Sequence, residues 1–229
     1  DTTKRYTQQN IFLLGTSFGG LIVSLIATRI QANINSRIQG IILLAPALSL
    51  EKVKAEPMNS ILLPIAAFLS ITFPTLPVGQ KAESPIPELS NAMIADASLD
   101  FDDPFCTGCY PGKLRARVGK QTLDTIDSLR TALLHQDASL LSSILFHRPL
   151  LLIHSKHDTM TDPQGSAFLA DKIKSNQGGS DNTVNFLYTQ DIPGCENMWH
   201  CLTQEPGCEA LFLYLTSWLT SHSSSHHLR

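Results

Sequence analysis

The chain has 229 residues, enough for one large domain or two small ones, and its 17 basic and 20 acidic residues leave a formal net charge of −3, which argues against a nucleic-acid-binding face. Hydrophobic residues make up 43% and charged residues only 16%, so the chain as a whole is not of the disordered class. No uninterrupted apolar run is long enough to cross a bilayer, which excludes a polytopic membrane protein.

Gln9 to Leu14 (QNIFLL) is short, apolar and followed by glycine, the pattern of a buried strand. Phe18 to Ile30 is apolar on nearly every side and reads as a buried helix. Gly40 to Ala45 (GIILLA), ended by Pro46, is a second strand. Residues from Leu50 to Phe146 then break the rhythm with most of the prolines and no evident core strand, and are read as an inserted cap. Its stretch from Pro57 to Pro77 is rich in Ile, Leu, Phe and Ala; it could line a substrate tunnel, touch a membrane, or pack the cap onto the core. Pro149 to His154 (PLLLIH) and Thr183 to Tyr188 (TVNFLY) are the third and fourth strands, with a helical pattern between them from Gly165 to Ser175. Glu209 to Ser221 is a final helix. Strands alternating with helices imply an α/β fold with a mostly parallel sheet. The expected organisation is a core of residues 1–49 and 147–221, a cap over 50–146, and a polar, disordered tail over 222–229.

Gly15-Thr16-Ser17-Phe18-Gly19-Gly20 fits G-x-S-x-G between the first strand and the first helix. A serine hydroxyl is a weak nucleophile and must be fixed beside a base. A sharp strand-to-helix turn does this, and Gly15 and Gly19 are expected to leave room where side chains would clash. The backbone N–H of Phe18, at the helix start, could then hold an oxyanion. The competing reading is a glycine-rich turn with Ser17 as the helix N-cap.

A nucleophilic serine needs a base and an acid to orient that base, in the chain order Ser, acid, His for this architecture. Asp158 follows the strand PLLLIH, at the carboxyl edge where the crevice of an open α/β sheet lies. His200 lies in the loop after the last strand and faces the same edge. Asp162 is a competing acid that precedes Pro163 and could instead cap the next helix. His154 and His157 flank Asp158 but lack a partner at metal-ligand spacing, His135 and His147 read as structural, and His222, His226 and His227 fall in or beside the tail. Glu205 is read as an acidic residue near a helix start.

The 5 cysteines make an odd number, a poor disulfide framework. Cys106-Thr-Gly-Cys109 has no second ligand pair for zinc and lies in a Pro/Gly-rich loop rather than at a helix N-terminus, so it carries neither a metal nor a redox reading. No cofactor is implied.

On these residues the chain resembles the monoacylglycerol lipase-like branch of the α/β-hydrolase superfamily, with its lysophospholipase and caffeoylshikimate esterase relatives. The segments IFLLGTSFGG, GIILLAPAL, DPFCTGCYPGKLRARVGKQTLDTIDSL, PLLLIHSKHDTMTDPQGS and MWHCLTQEP carry the resemblance in the family's order. Tyr110-Pro111-Gly112-Lys113 fits the family's cap segment. The resemblance implies Ser17 as nucleophile, Asp158 as acid, His200 as base, and an esterase of monoacylglycerol-like or lysophospholipid-like esters that needs no cofactor. Its apolar cap could make peripheral membrane contact, with the compartment open between cytoplasm and membrane surface. Two residues depart from the pattern: Thr16 stands where histidine is common, and Ser155 where glycine is usual. The family places its nucleophile after the fifth of eight strands, so the four strands here correspond to the last four. The first strands and the loop supplying a second oxyanion N–H are expected to be missing, which makes the chain a C-terminal part of a hydrolase. Two other readings stand beside this one: an acyltransferase with the same triad, and an inactive fragment.

Overall fold

A computed structural model of the chain describes residues 10–33, 37–51, 55, 59–78, 114–176 and 184–223. The contacts divide the chain into two units, one of Asp1–Ser49 with Ser128–Arg229 and one of Leu50–Asp127. The sequence boundary drawn after residue 146 therefore differs from the division by contacts, which groups Ser128 onward with the core.

The first unit holds a four-stranded sheet, β1 (Ile11–Thr16), β2 (Ile38–Leu44), β5 (Leu150–His154) and β6 (Val184–Tyr188), side by side in that order and parallel throughout. The strands expected from sequence are all present, with ends that match or are shifted by at most two residues. Every residue of β2 and β5 is buried, which is why both read as continuous apolar runs rather than alternating ones. Ile42, Leu44, Leu151 and Ile153 share one face with Leu211, Leu215 and Trp218 of α7 (Cys208–Ser223) and with Ile192 and Met198 of the preceding loop. The alternate residues Ile41, Leu43, Leu150 and Leu152 are equally buried and point to the other face. The helices α1 (Ser17–Arg29), α5 (Ile144–His147) and α6 (Pro163–Asn176) touch in sequence, with α1 against β1 and β2 and α6 against β5 and β6. Helix α7 ends at Ser223 rather than 221, and His222 belongs to it: its ring stacks on Trp218 at 4.2 Å.

β1 is an edge strand among the described residues and is only partly buried. Leu14 on β1 and Phe18, Ile22 and Ile26 on α1 are exposed, an apolar stripe at helical spacing that nothing among the described residues covers.

The second unit contains α2 (Asn59–Thr72), a two-residue antiparallel pair of β3 (Pro77–Val78) with β4 (Leu114–Arg115), and the start of α3 (Ala116–His135). The short helix α4 (Ala138–Leu141) follows in the first unit. The small β3–β4 pair was not evident from sequence. Helix α2 continues through Pro64, which removes one hydrogen bond from the turn before it. The Cys106–Cys109 pair, the Tyr110–Lys113 run, His226 and His227 lie outside the described residues.

Gly15 and Gly20 set how tightly α1 meets the sheet. A Cβ on Gly15 would lie 2.4 Å from the carbonyl oxygen of Gly19, and one on Gly20 would lie 2.5 Å from Cβ and 2.9 Å from Cα of Pro46. Gly19, expected from the motif to need the space, faces nothing within 4 Å. The motif's close approaches therefore fall on Gly15 and Gly20, because it is their α-carbons that turn toward backbone while Gly19's turns outward. Gly20→Ala should cost about 2 kcal/mol, lowering the thermal midpoint by roughly 4–8 °C, whereas Gly19→Ala should be neutral or slightly stabilising, as alanine is the better helix former by up to about 1 kcal/mol. Thermal unfolding followed by circular dichroism separates the two; equal losses would overturn this account of the turn.

Candidate active site

Three loops at the carboxyl ends of β1, β5 and β6 bring Ser17, Asp158 and His200 together. Ser17 begins α1 directly after β1 and has φ +49°, a left-handed backbone that a side chain enters at a cost of about 1–2 kcal/mol. The turn is held there by close packing: Gly20 rests on Pro46, and the Ala47 N–H donates to the Ser17 carbonyl at 3.1 Å. Ser17 is not the N-cap. Thr16 occupies that position, and its side chain makes no capping bond. The N–H of Phe18 lies in the first turn of α1, where an N–H has no acceptor within its own helix, and points with the positive end of the helix.

His200 Nε2 lies 2.9 Å from Ser17 Oγ and its Nδ1 lies 2.7 Å from Asp158 Oδ2. With the proton on Nδ1 directed at the carboxylate, Nε2 accepts from the serine hydroxyl. Asp158 is buried and receives donors on both oxygens. Oδ1 accepts from the N–H groups of Met160 (2.8 Å) and Thr161 (2.9 Å). Oδ2 accepts from His200, from His154 Nε2 (3.1 Å) and from Thr161 Oγ1 (2.7 Å). Burial pushes this carboxyl's pKa up, but the hydrogen bonds from His154 and His200, the imidazole charge and the Thr161 N–H outweigh it and hold the group ionised well below the usual carboxylate range.

Several contributors were not recognised from sequence. His154, at the end of β5, signals by its sequence position at most a metal ligand. In the neutral ring its Nε2–H donates to Asp158, and its Nδ1 accepts from Ser166 Oγ of α6 at 2.8 Å. Thr161 gave no signal of its own in the sequence. Ser155, noted only as a departure, donates from Oγ to the Met198 carbonyl at 2.5 Å. Glu205 is a correction: its carboxylate does not sit at a helix start but accepts from the N–H groups of Trp199, His200 and Cys201. Asp162 caps α6 through the Gln164 N–H and also accepts from Ser49 Oγ. The thiol of Cys201 is pushed up to about 11 by burial and by the charges of Glu205 and Asp158, so at neutral pH it stays protonated beside His200. Among the described residues no group of three or more His, Cys, Asp or Glu is disposed to hold a metal ion.

Because the Asp158 pKa is depressed on folding, its contribution to stability is full above the unfolded value near 4 and is lost as pH falls through the lower folded value. Asp158→Asn should therefore lower stability at pH 7 and flatten the fall in stability between about pH 5 and pH 2. Urea midpoints of both proteins across that range measure the difference; parallel curves would refute the role given to the charge.

The family model described as serine aminopeptidase, S33, matches residues 1–185. Among solved structures, the monoacylglycerol lipase of Paleococcus ferrophilus is similar with a TM-score of 0.61 at 22% identity, over 97% of this chain and 72% of its own. A soluble variant of monoglyceride lipase from Saccharomyces cerevisiae, in complex with a substrate analog, is similar with a TM-score of 0.59 at 17% identity, over 98% of this chain and 66% of its own. At these identities the likeness is one of fold, and the chain spans roughly two thirds to three quarters of either structure's length. No curated protein sequence gives a significant match. With its family model matched over residues 1–185, the chain belongs to the serine aminopeptidase S33 family, and its fold is that of the α/β-hydrolases.

Proposed function

We propose that this chain carries the triad of a serine ester hydrolase acting on monoacylglycerol-like or lysophospholipid-like esters through an acyl-serine intermediate. The reading rests above all on one observation: a serine at φ +49° on a strand-to-helix turn, hydrogen-bonded to a histidine that is itself bonded to a buried, ionised aspartate. In the first step Ser17 Oγ attacks the ester carbonyl carbon while His200 Nε2 takes its proton. Asp158 holds the Nδ1 tautomer and balances the imidazolium. The carbonyl oxygen gathers negative charge, and the Phe18 N–H at the positive end of α1 stabilises it. The tetrahedral intermediate collapses, the C–O bond to the alcohol breaks, and His200 returns the proton to the leaving oxygen. Water then attacks the acyl-Ser17 ester by the same route, giving the free acid and restoring the serine.

The lipid-type substrate is supported by the two lipase neighbours and by the second unit's own composition. Asn59 to Val78 contains no charged residue, and Ile65, Phe68, Ile71, Phe73 and Leu76 are all exposed. No helix among the described residues is long and apolar enough to cross a membrane, so an interfacial contact is the arrangement this stretch suits. Replacing Phe68 and Ile71 together by Asp should reduce binding to phosphatidylcholine vesicles several-fold in a flotation assay, with turnover of a water-soluble ester unchanged; undiminished binding would remove the membrane part of the reading.

Ser17→Ala should abolish both hydrolysis of p-nitrophenyl butyrate and labelling by a fluorophosphonate probe, a loss of about 10⁴-fold or more. Labelling that survives the substitution would rule out Ser17 as the nucleophile.

A further inference from the structure

We infer that Glu205 is a positioning residue for the reaction: its buried carboxylate fixes the backbone of the His200 loop and thereby holds the imidazole between Ser17 and Asp158. The inference rests on the triad reading above and deepens it. Between β6 and α7 the chain runs through a long connection made of single turns. Within it, the N–H groups of Trp199, His200 and Cys201 point the same way, toward a single acceptor. Glu205 Oε2 accepts from Trp199 at 2.5 Å, and Oε1 accepts from His200 at 2.8 Å and Cys201 at 2.6 Å. Glu205 is itself buried, and its own N–H closes the loop on the Cys201 carbonyl at 3.2 Å. Three successive amides converging on one anion form a backbone nest, and charge-assisted bonds of this kind are roughly twice as strong as neutral ones.

The consequence for His200 is geometric. Its ring must satisfy two partners on opposite edges, at 2.7 and 2.9 Å, so both bonds depend on where its Cα is held. No strand or helix holds it; the anion does. An amide at position 205 would keep one accepting oxygen but would turn an NH2 donor toward a backbone N–H, so Gln is not a neutral replacement.

Four measurements test this. In the full chain, Glu205→Gln should lower the kcat for p-nitrophenyl butyrate by about 10- to 100-fold with KM within about twofold, the cost of a small displacement of a reacting group. Its fluorophosphonate labelling rate should fall in parallel. The low-field proton resonance of His200 Nδ1–H should shift or broaden, a change that loss of global stability alone would not produce below the thermal midpoint. Where Glu205→Gln fails to fold, hydrogen exchange on the unaltered protein decides: the amides of Trp199, His200 and Cys201 should be protected like those of β5, although they lie in a loop. Loop-like exchange at all three, or a Glu205→Gln protein that labels at the unaltered rate, would overturn the inference. If the unaltered protein does not label at Ser17, the esterase reading fails instead, and the exchange and resonance measurements still decide whether Glu205 positions His200.

Discussion

Pro46 and Gly20 touch where even a methyl group would not fit, and this contact determines where α1 begins. The start of α1 in turn sets the backbone of Ser17. Between the extended Thr16 and the body of the helix, Ser17 takes a left-handed φ, and no hydrogen bond of the Thr16 side chain assists. The strain is local and is opposed by packing around it, with the Ala47 N–H bonded to the Ser17 carbonyl and Gly15 pressed against Gly19. Because β2 is buried along its whole length, the loop carrying Pro46 has a rigid base, and the turn rests on it.

The other half of the site depends on a different kind of constraint. A carboxylate as fully buried as Asp158 would be neutral unless its oxygens were saturated, and here five donors converge on it. They come from a turn of its own loop, from the last residue of β5 and from the loop after β6. The sheet supplies the spacing: β5 and β6 are adjacent and parallel, paired through His154 and Tyr188, so the loops that follow them leave the same edge side by side. Ionisation of Asp158 is thus a property of strand order as much as of local sequence.

The strands and helices of the sheet could be read from sequence because buried parallel strands are short, apolar and punctuated by Gly or Pro, and IFLL, GIILL and LLLIH carry that pattern undiluted. Ser17, Asp158 and His200 could be read because each follows such a strand at the edge where chemistry collects. What could not be read was whatever depends on direction rather than spacing. The motif names Gly15 and Gly19, yet it is Gly15 and Gly20 that meet backbone, because a helix turns successive α-carbons by 100° and only one of the pair faces Pro46. Glu205 stands five residues from His200 and three before α7, a spacing equally suited to a helix start, and only the fold of the loop shows its oxygens turned back onto three amides. His154 reads from sequence as a possible metal ligand because a sequence does not show that its ring lies between Ser166 and Asp158. The β3–β4 pair carries no sequence signal because two residues per strand are too few to show a period.

Ser155 shows how a departure from a family pattern can be structural without touching the chemistry. Glycine at this position would leave the Met198 carbonyl without its donor and the His157 N–H without its acceptor; the serine hydroxyl serves both, donating at 2.5 Å and accepting at 3.0 Å. It therefore joins the loop that carries Asp158 to the loop that carries His200. Trp199 Nε1 to Thr159 Oγ1, at 2.9 Å, is a second such joint, and His200 to Asp158 a third. The three joints differ in kind, being hydroxyl to carbonyl, indole to hydroxyl and imidazole to carboxylate, and they link 155 with 198, 159 with 199 and 158 with 200, the last two crossing in chain order. Two irregular loops joined at these points, and also by the Lys156 N–H to Gln190 Oε1 at 3.2 Å, behave as one body, so displacement of either costs these bonds together rather than one at a time. Glu205 holds the His200 part of that body through three amides, and the geometry at Ser17 follows from the two constraints acting at once.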